Sequence, residues 1–233
     1  MIKLLSTKQL DDKTIAYAQS LNLDVTCVEF IEITPVLWNE SVLRDFVCDS
    51  VAFTSSSGVK YFLDHPIANE WIKTKNVFSI SGKTYDELAK RDVNVISIAE
   101  DSVAMTEGVI EKNLTKCILH VCGNIRLDTL EKKLSQVGIQ YYPLVVYNTK
   151  LNTSLHLEES FDAILFFSPS GVGGFLSANR INDKTICCCI GNTTAARLRS
   201  VVNSSKIIVS PFPSPKLMIE RVAKYFEKPS EQK

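Results

Sequence analysis

The sequence carries no excess of either charge. Its 26 lysines and arginines are matched by 26 aspartates and glutamates, for a formal net charge of zero at pH 7. A protein built to lie on nucleic acid normally needs a basic face, so no nucleic-acid partner is expected. No apolar run approaches the roughly 20 residues of a membrane-spanning helix. The start, MIKLLSTKQLDDK, lacks the long apolar stretch and small-residue cleavage site of a secretory signal. No membrane association and a cytoplasmic location are therefore expected. Histidines are few and scattered: His65, His120 and His156. The seven cysteines (Cys27, Cys48, Cys117, Cys122, Cys187, Cys188, Cys189) are odd in number and form no CxxC pair. Most sit in apolar runs such as ICCCI at 186–190, which reads as buried free thiols rather than a metal or redox site. No GxGxxG or GxxxxGK[ST] fingerprint and no hydrolytic triad set is present, so nicotinamide, nucleoside-triphosphate and acyl-enzyme chemistry are unsupported. No cofactor and no metal are expected.

What is present is an α/β pattern. The 233 residues, 45% hydrophobic and 22% charged, suit a packed core in one large or two small domains. Short apolar runs alternate with helix-period segments, as in parallel-sheet proteins. The strand candidates are IKLLST (2–7), SVAFTS (50–55), NVFSIS (76–81), VNVISIA (93–99), CILHVCG (117–123), AILFFS (163–168), TICCCIG (185–191) and KIIVS (206–210). Such continuous runs predict strands covered on both faces. RLDTLEKKLSQVG (126–138) predicts a helix with Leu127, Leu130, Leu134 and Val137 on one face and Gly138 as its stop. PKLMIERVAKYFEK (215–228) predicts another, with Ser214 as cap and Pro215 in the first turn. Two segments, VTCVEFIEITPV (25–36) and IQYYPLVVYNTKLNT (139–153), exceed the usual strand length and read as linker strands running from one domain toward another.

The chain also repeats. FTSSSGVKYFL (53–63) and FFSPSGVGGFL (166–176) share seven of eleven positions. SGKTYDEL (81–88) and GNTTAARL (191–198) follow, sharing Thr84/Thr194 and Leu88/Leu198. A weaker pair sets EDSVAMTEGV (100–109) against PSPKLMIERV (213–222), with Ser102 opposite Ser214. Three pairs in the same order predict two domains built on one plan. Each strand of the repeat ends in a small, hydroxyl-rich turn that opens a helix. In parallel sheets such turns face the ligand crevice, and a helix N-terminus there offers free amides and partial positive charge to carboxylates or phosphates. Ser55, Ser57 and Gly58 in one half, and Ser168, Ser170 and Gly171 in the other, suit a cradle of that kind; Thr84 and Thr194 open the next helices. Plain N-capping explains the same residues equally well.

FTSSSGV, FFSPSGV, IGNTTAARL, VVYNT, CGNIRLDTL and the closing PSPKLMIERV, taken in order over nearly the whole chain, resemble uroporphyrinogen-III synthases. The resemblance implies two α/β domains, each a parallel sheet flanked by helices, joined by a two-stranded β linker. One would take 1–34 plus 150–233 and the other, inserted, 35–149. It implies a monomeric hydro-lyase of porphyrin and heme biosynthesis that converts the linear tetrapyrrole hydroxymethylbilane to uroporphyrinogen III, a small-molecule reaction driven by positioning. Loss of the hydroxyl gives an azafulvene, attack at the substituted carbon of the terminal ring gives a spiro intermediate, and rearrangement inverts that ring. Residue by residue, Tyr147 matches the tyrosine proposed to assist hydroxyl departure. Thr54, Ser55, Ser56, Ser57 and Gly58 match one binding loop, and Ser168, Pro169, Ser170 and Gly171 the other. Thr84, Thr193, Thr194 and Ser214 match further substrate-binding hydroxyls.

The sequence departs from the family pattern in three places. Lys8 follows Thr7 where an arginine is frequent, Leu127 stands where many bacterial relatives carry an arginine, and Ser81 replaces a glycine. The substrate's eight carboxylates would meet backbone amides and the scattered Lys8, Lys60, Lys83, Arg126 and Arg197. Two other functions fit parts of the sequence. TSSSG resembles the serine-rich loop of phosphosugar-binding isomerases, and the repeat suits a non-catalytic two-domain ligand-binding protein. The first leaves the second loop copy unexplained.

Overall fold

The computed structural model describes residues 1–45, 48–126 and 128–227. Along the chain run β1 (Ile2–Ser6), α1 (Asp12–Ser20), β2 (Leu23–Cys27), β3 (Ile31–Pro35), α2 (Val42–Asp45), β4 (Ser50–Phe53), α3 (Ser56–Leu63), α4 (Pro66–Ile72), β5 (Asn76–Ile80), α5 (Lys83–Ala89) and β6 (Val95–Ala99). There follow α6 (Ser102–Lys112), β7 (Cys117–Gly123), α7 (Thr129–Gln136), β8 (Gln140–Leu151), β9 (Ala163–Phe166), α8 (Pro169–Ala178), β10 (Ile186–Cys189), α9 (Asn192–Arg199), β11 (Ile207–Val209) and α10 (Pro215–Glu227). They group into two compact units, Met1–Glu32 with Lys150–Lys233, and Ile33–Thr149.

The discontinuous unit holds a five-stranded sheet of order β11-β10-β9-β1-β2. Its pairs are parallel, with Leu4 opposite Val25 on one side and Ala163 on the other. The apolar runs sit here because both faces are covered: α1 and α10 bury Leu4, Leu165 and Cys188 beneath Ala18 and Met218, while α8 and α9 bury Leu5, Ile164 and Cys187 beneath Val172 and Leu198. Strand order 2-1-3-4-5 in this unit's own count is the flavodoxin-like arrangement, whose winding reverses between β1 and β9.

The continuous unit holds a six-stranded sheet of order β3-β8-β7-β4-β5-β6. The core on one face joins α2, α3, α4 and α5 through Leu43, Val59, Phe62, Ile72 and Leu88; on the other, α6 and α7 contribute Met105, Val109, Leu130 and Leu134. Here β4, β5 and β6 take the places of β9, β10 and β11, and β7 and β8 those of β1 and β2. The spatial plan is the same, but the two strands that come first in one unit come last in the other. The winding reverses between β7 and β4.

Several expectations need correction. The segment 25–36 is not one long strand but β2 and β3, broken where the fully buried Phe30 turns into the core against Phe175, ring centroids 5.3 Å apart. The segment 139–153 does form one strand, β8, of 12 residues. In α7, Leu130 and Leu134 are buried, but Val137 is the C-cap and 51% exposed, because Gly138 at φ +77° has already turned the chain away; Leu127 lies outside the described residues, as does Lys228 of the segment 215–228. The residue opposite Ser214 is Asp101, not Ser102: α6 starts at Ser102 and Asp101 caps it through the amides of Val103 and Ala104. Finally, the cysteines are not all free. Cys48 and Cys117 form a disulfide, Cα atoms 4.9 Å apart, because they enter the neighbouring parallel strands β4 and β7 side by side. Cys27, Cys122, Cys187, Cys188 and Cys189 are free, and burial pushes the thiols of the last three up to about 12, so they are inert packing groups.

Candidate active site

Open parallel sheets bind ligands beyond the carboxyl ends of their strands, where the winding reverses. In the continuous unit that place is bounded by the ends of β4 and β7. The loop after β4 enters α3 with Ser55 as N-cap, extended at φ −152° and ψ 145°, its Oγ accepting the Gly58 amide at 2.9 Å. A side chain at Gly58 would bring Cβ to 3.1 Å from both Ser55 Oγ and the Val121 carbonyl, so the tight turn needs a glycine. Ser55 Oγ also lies 2.9 Å from the Tyr147 hydroxyl. Sequence alternation alone does not place Tyr147 there. The β7–β8 register slips between Cys122 and Gly123, so that Cys122 faces Val145 but Gly123 faces Tyr147. The extra residue lets Val146 and Tyr147, neighbours in sequence, both enter the core beneath α3. Gly123 makes room: a Cβ on it would sit 2.5 Å from the Tyr147 ring. Asn124 then fastens the strand beyond the end of β7. Its Oδ1 accepts the Thr149 amide at 2.7 Å, its Nδ2 donates to the Thr149 carbonyl at 3.3 Å, and its backbone amide donates to the Tyr147 carbonyl at 3.1 Å. Burial pushes the Tyr147 phenol above its ordinary pKa, while Ser55 and the Gly123 amide hydrogen-bond toward the phenolate and pull the other way.

A second polar chain occupies the opposite face of the same sheet. Thr54 Oγ1 is 2.9 Å from His120 Nε2, and His120 Nδ1 is 2.7 Å from the Tyr141 hydroxyl. Burial, helped by the Arg126 charge, holds the His120 ring down at about 4, against 6.5 in water. Between those values the unfolded chain binds a proton that the folded ring refuses, so this stability is present above pH 6.5 and lost as pH falls toward 4. The shift corresponds to about 3 kcal/mol. Urea midpoints at pH 7 and 4.5 are expected to differ more in the wild type than in His120→Gln; equal differences would remove His120 as the cause.

The discontinuous unit repeats the cradle. Ser168 caps α8, extended at φ −163° and ψ 158°, and accepts the Gly171 amide at 2.9 Å. Pro169 fills the first turn, where no amide is needed. Ser170 Oγ stands 3.0 Å from Ser168 Oγ, and Thr7 at the end of β1 donates to the Leu165 carbonyl at 2.8 Å. Thr84 and Thr194 do not cap their helices as expected. Gly82 and Gly191 hold the cap positions, and the two threonines sit in the first turns at 4% and 2% exposure. Among the described residues neither threonine hydroxyl has a hydrogen-bond partner, yet neither is sealed from solvent. Thr193 is half-buried beside Thr194, and Ser56 and Ser57 are half-buried at the start of α3. Ser56 shares a shallow depression with Lys83, Asp86, Glu87 and Lys90. The Ser214 carbonyl accepts the Met218 amide at 3.1 Å, which starts α10.

The structure thus joins Gly58 and Tyr147 through Ser55, and Ser170 and Gly171 through Ser168. Lys8, Lys60, Lys83, Arg126 and Arg197 are all exposed. No group of three or more His, Cys, Asp or Glu among the described residues could hold a metal ion. Gly123, Asn124, His120 and Tyr141 were not legible as site residues. CGN after a strand does signal a turn, but the register slip that gives it meaning has no sequence mark.

No curated protein matches the chain by sequence. Solved structures do match in fold. A mutant uroporphyrinogen III synthase of Thermus thermophilus superposes with TM-score 0.71 at 17% identity, over 97% of this chain and all of that one. The uroporphyrinogen-III synthetase of Helicobacter pylori gives 0.65 at 17% identity, again over 97% of this chain and all of the other. A family model described as uroporphyrinogen-III synthase HemD matches residues 12–220. With most of its length matched, the chain belongs to the uroporphyrinogen-III synthase family.

Proposed function

We propose that the chain closes hydroxymethylbilane to uroporphyrinogen III with loss of water, as a cofactor-free, monomeric lyase of the cytoplasm. Family membership carries the reaction and sets it above the phosphosugar and plain binding readings. The contact between Ser55 and Tyr147 carries the mechanism. Ser55 Oγ spends one lone pair on the Gly58 amide; either hydroxyl of the Ser55–Tyr147 pair can donate, and in this mechanism it is Ser55 that donates to the Tyr147 oxygen. The phenol proton is then left to point outward. Because burial keeps that phenol protonated, Tyr147 acts as a donor and not as a base. It hands its proton to the departing hydroxyl, which leaves as water, and recovers one when the rearranged ring loses its own. Meanwhile the Ser55 hydroxyl and the Gly123 amide steady the phenolate.

The other residues bind. The helix N-termini at Ser55–Gly58 and Ser168–Gly171, with Thr54, Ser56, Ser57, Pro169 and Ser170 around them, receive substrate carboxylates. Thr84, Thr193, Thr194 and Ser214 add hydroxyls. Thr194→Ala is expected to raise KM about fivefold, as for one lost hydrogen bond of about 1 kcal/mol, with kcat little changed; an unchanged KM would take Thr194 out of the site. The test of the function is to supply enzymatically generated hydroxymethylbilane, oxidise the products and separate isomers I and III. The wild-type protein should give isomer III, in the presence of a chelator as in its absence. Isomer I alone, the product of spontaneous closure, would refute the reading.

A further inference from the structure

Strand β8 outruns the neighbour that carries its ladder. In the other unit β1 and β2 end together, Ser6 opposite Cys27. Here β7 ends at Gly123, opposite Tyr147, while β8 runs on to Leu151. A parallel ladder continues when a residue both donates its amide and accepts with a carbonyl across the gap. Asn124 does the first with its backbone, whose amide donates to the Tyr147 carbonyl at 3.1 Å. It does the second with its side chain: Oδ1 accepts the Thr149 amide at 2.7 Å, and Nδ2 donates to the Thr149 carbonyl at 3.3 Å. A side-chain amide offers the same carbonyl and N–H groups as a peptide unit. It stands in here for the strand that has turned away toward α7.

These bonds bracket Tyr147: one takes its own carbonyl, and the other two take Thr149, two residues on along the same face of β8. Tyr147 and Thr149 are both buried. The seat of the ring is narrow. A Cβ on Gly123 would stand 2.5 Å from Tyr147 Cε2 and 3.0 Å from its oxygen, and that oxygen is 2.9 Å from Ser55 Oγ. A strand free to shift would carry the hydroxyl off Ser55. Asn124 itself is exposed. Water can take over its hydrogen bonds, so they add little to stability, but water holds no strand in register.

We propose that Asn124 is a positioning residue of the reaction: its side chain holds the end of β8 so that the Tyr147 hydroxyl stays at Ser55, in place for proton transfer. This role rests on the function given above and deepens it, since Asn124 acts through Tyr147 rather than on the substrate. Its mark is a loss of turnover without a loss of fold or of substrate binding.

Misplacing a reacting group by 1 Å can cost about a hundredfold in rate. Asn124→Ala leaves β3 paired on the other edge of β8, so kcat for isomer III is expected to fall by less, about tenfold, with KM and Tm nearly kept. Added to Tyr147→Phe, the same substitution should lower kcat no further, because no hydroxyl is left to position. Carbon-13 NMR of the free protein, labelled in its tyrosine rings, gives a readout independent of turnover. Among the seven tyrosines, the signal that vanishes in Tyr147→Phe should move in Asn124→Ala, while those of Tyr17 and Tyr225 stay. An unmoved Tyr147 signal, an unchanged kcat, a rise in KM in its place, or losses that multiply in the double variant would overturn the proposal. A marked fall in Tm would make Asn124 a structural tie and overturn it as well. Tyr147→Phe as active as wild type would instead remove Tyr147 as the proton donor, and this role with it.

Discussion

Tyr147→Phe is expected to form isomer III about a hundredfold more slowly than the wild type, with KM little changed and the missing product recovered as isomer I. The substitution keeps the ring that packs among Val146, Leu144 and Phe62 and removes only the oxygen. General-acid help is worth roughly 10² to 10⁴ in rate. The lower end applies because the pyrrole nitrogen already expels the hydroxyl, leaving less for a proton donor to add. Ser55→Ala should fall between the two enzymes, since it releases the Tyr147 oxygen from its partner and also strips a cap worth about 1 kcal/mol from α3. Rates of isomer III equal to wild type in Tyr147→Phe would leave Tyr147 a packing residue. Ser55 would then be a cap and nothing more.

Gly174→Ala should damage the fold as severely as any single methyl group can. Its Cβ would stand 2.2 Å from the Phe30 carbonyl oxygen and 3.0 Å from the Phe30 carbonyl carbon. Backbone cannot swing aside as a side chain does, and this oxygen is also held by the Asn152 amide at 2.9 Å, while the ring of Phe30 meets Phe175 edge-on. Overpacking of this kind costs about 3 kcal/mol, against a total stability on the order of 5–15 kcal/mol, and should lower Tm by roughly 10 °C. Its neighbour supplies the control. A Cβ on Gly173 would touch only the Leu151 Cδ1 at an ordinary 3.8 Å, so Gly173→Ala should leave Tm unchanged or raise it. A Gly174→Ala protein as stable as wild type would mean that the bend at Phe30 and α8 can part without loss.

The architecture was readable where one rule governs it. Continuous apolar runs such as AILF and ICCC occur because both faces of a parallel sheet are covered, and those strands are buried from end to end. The repeated S-x-S-G was readable because a capping serine and a close-packed glycine leave a fixed spacing, and both copies hold the capping serine in extended backbone with its Oγ on the glycine amide. What lay hidden depends on register and on distant pairs. Periodicity marks which residues alternate, but not where a ladder slips, so the slip that turns Tyr147 toward Ser55 was invisible. Hydropathy treats 25–36 as one apolar stretch, because a buried Phe30 in a bend scores like a Phe in a strand. The Cys48–Cys117 bond joins residues 69 apart, and the His120 chain joins Thr54 to a tyrosine two strands away. No local signal encodes either.

The permuted strand order settles which half of the protein can fold first. Residues 33–149 are contiguous, and every strand that β4 pairs with is made within that stretch. On the ribosome, where chains grow at roughly 5–20 residues per second, that unit can complete itself while the other still lacks its centre. Strand β1 must wait for β9, since Leu4 pairs with Ala163. The wait is shortened in space. Once β3 and β8 lie side by side as hydrogen-bonded neighbours, the ends of the insert are brought together. The loop that β1 and β9 must close then shrinks several-fold in effective length. By the logarithmic law of loop closure this lowers the entropic cost by roughly 1–2 kcal/mol. The inserted unit is thus the other's folding template in time, and a nascent chain halted after residue 149 should already protect its amides in β4, β5 and β7 while those of β1 still exchange freely.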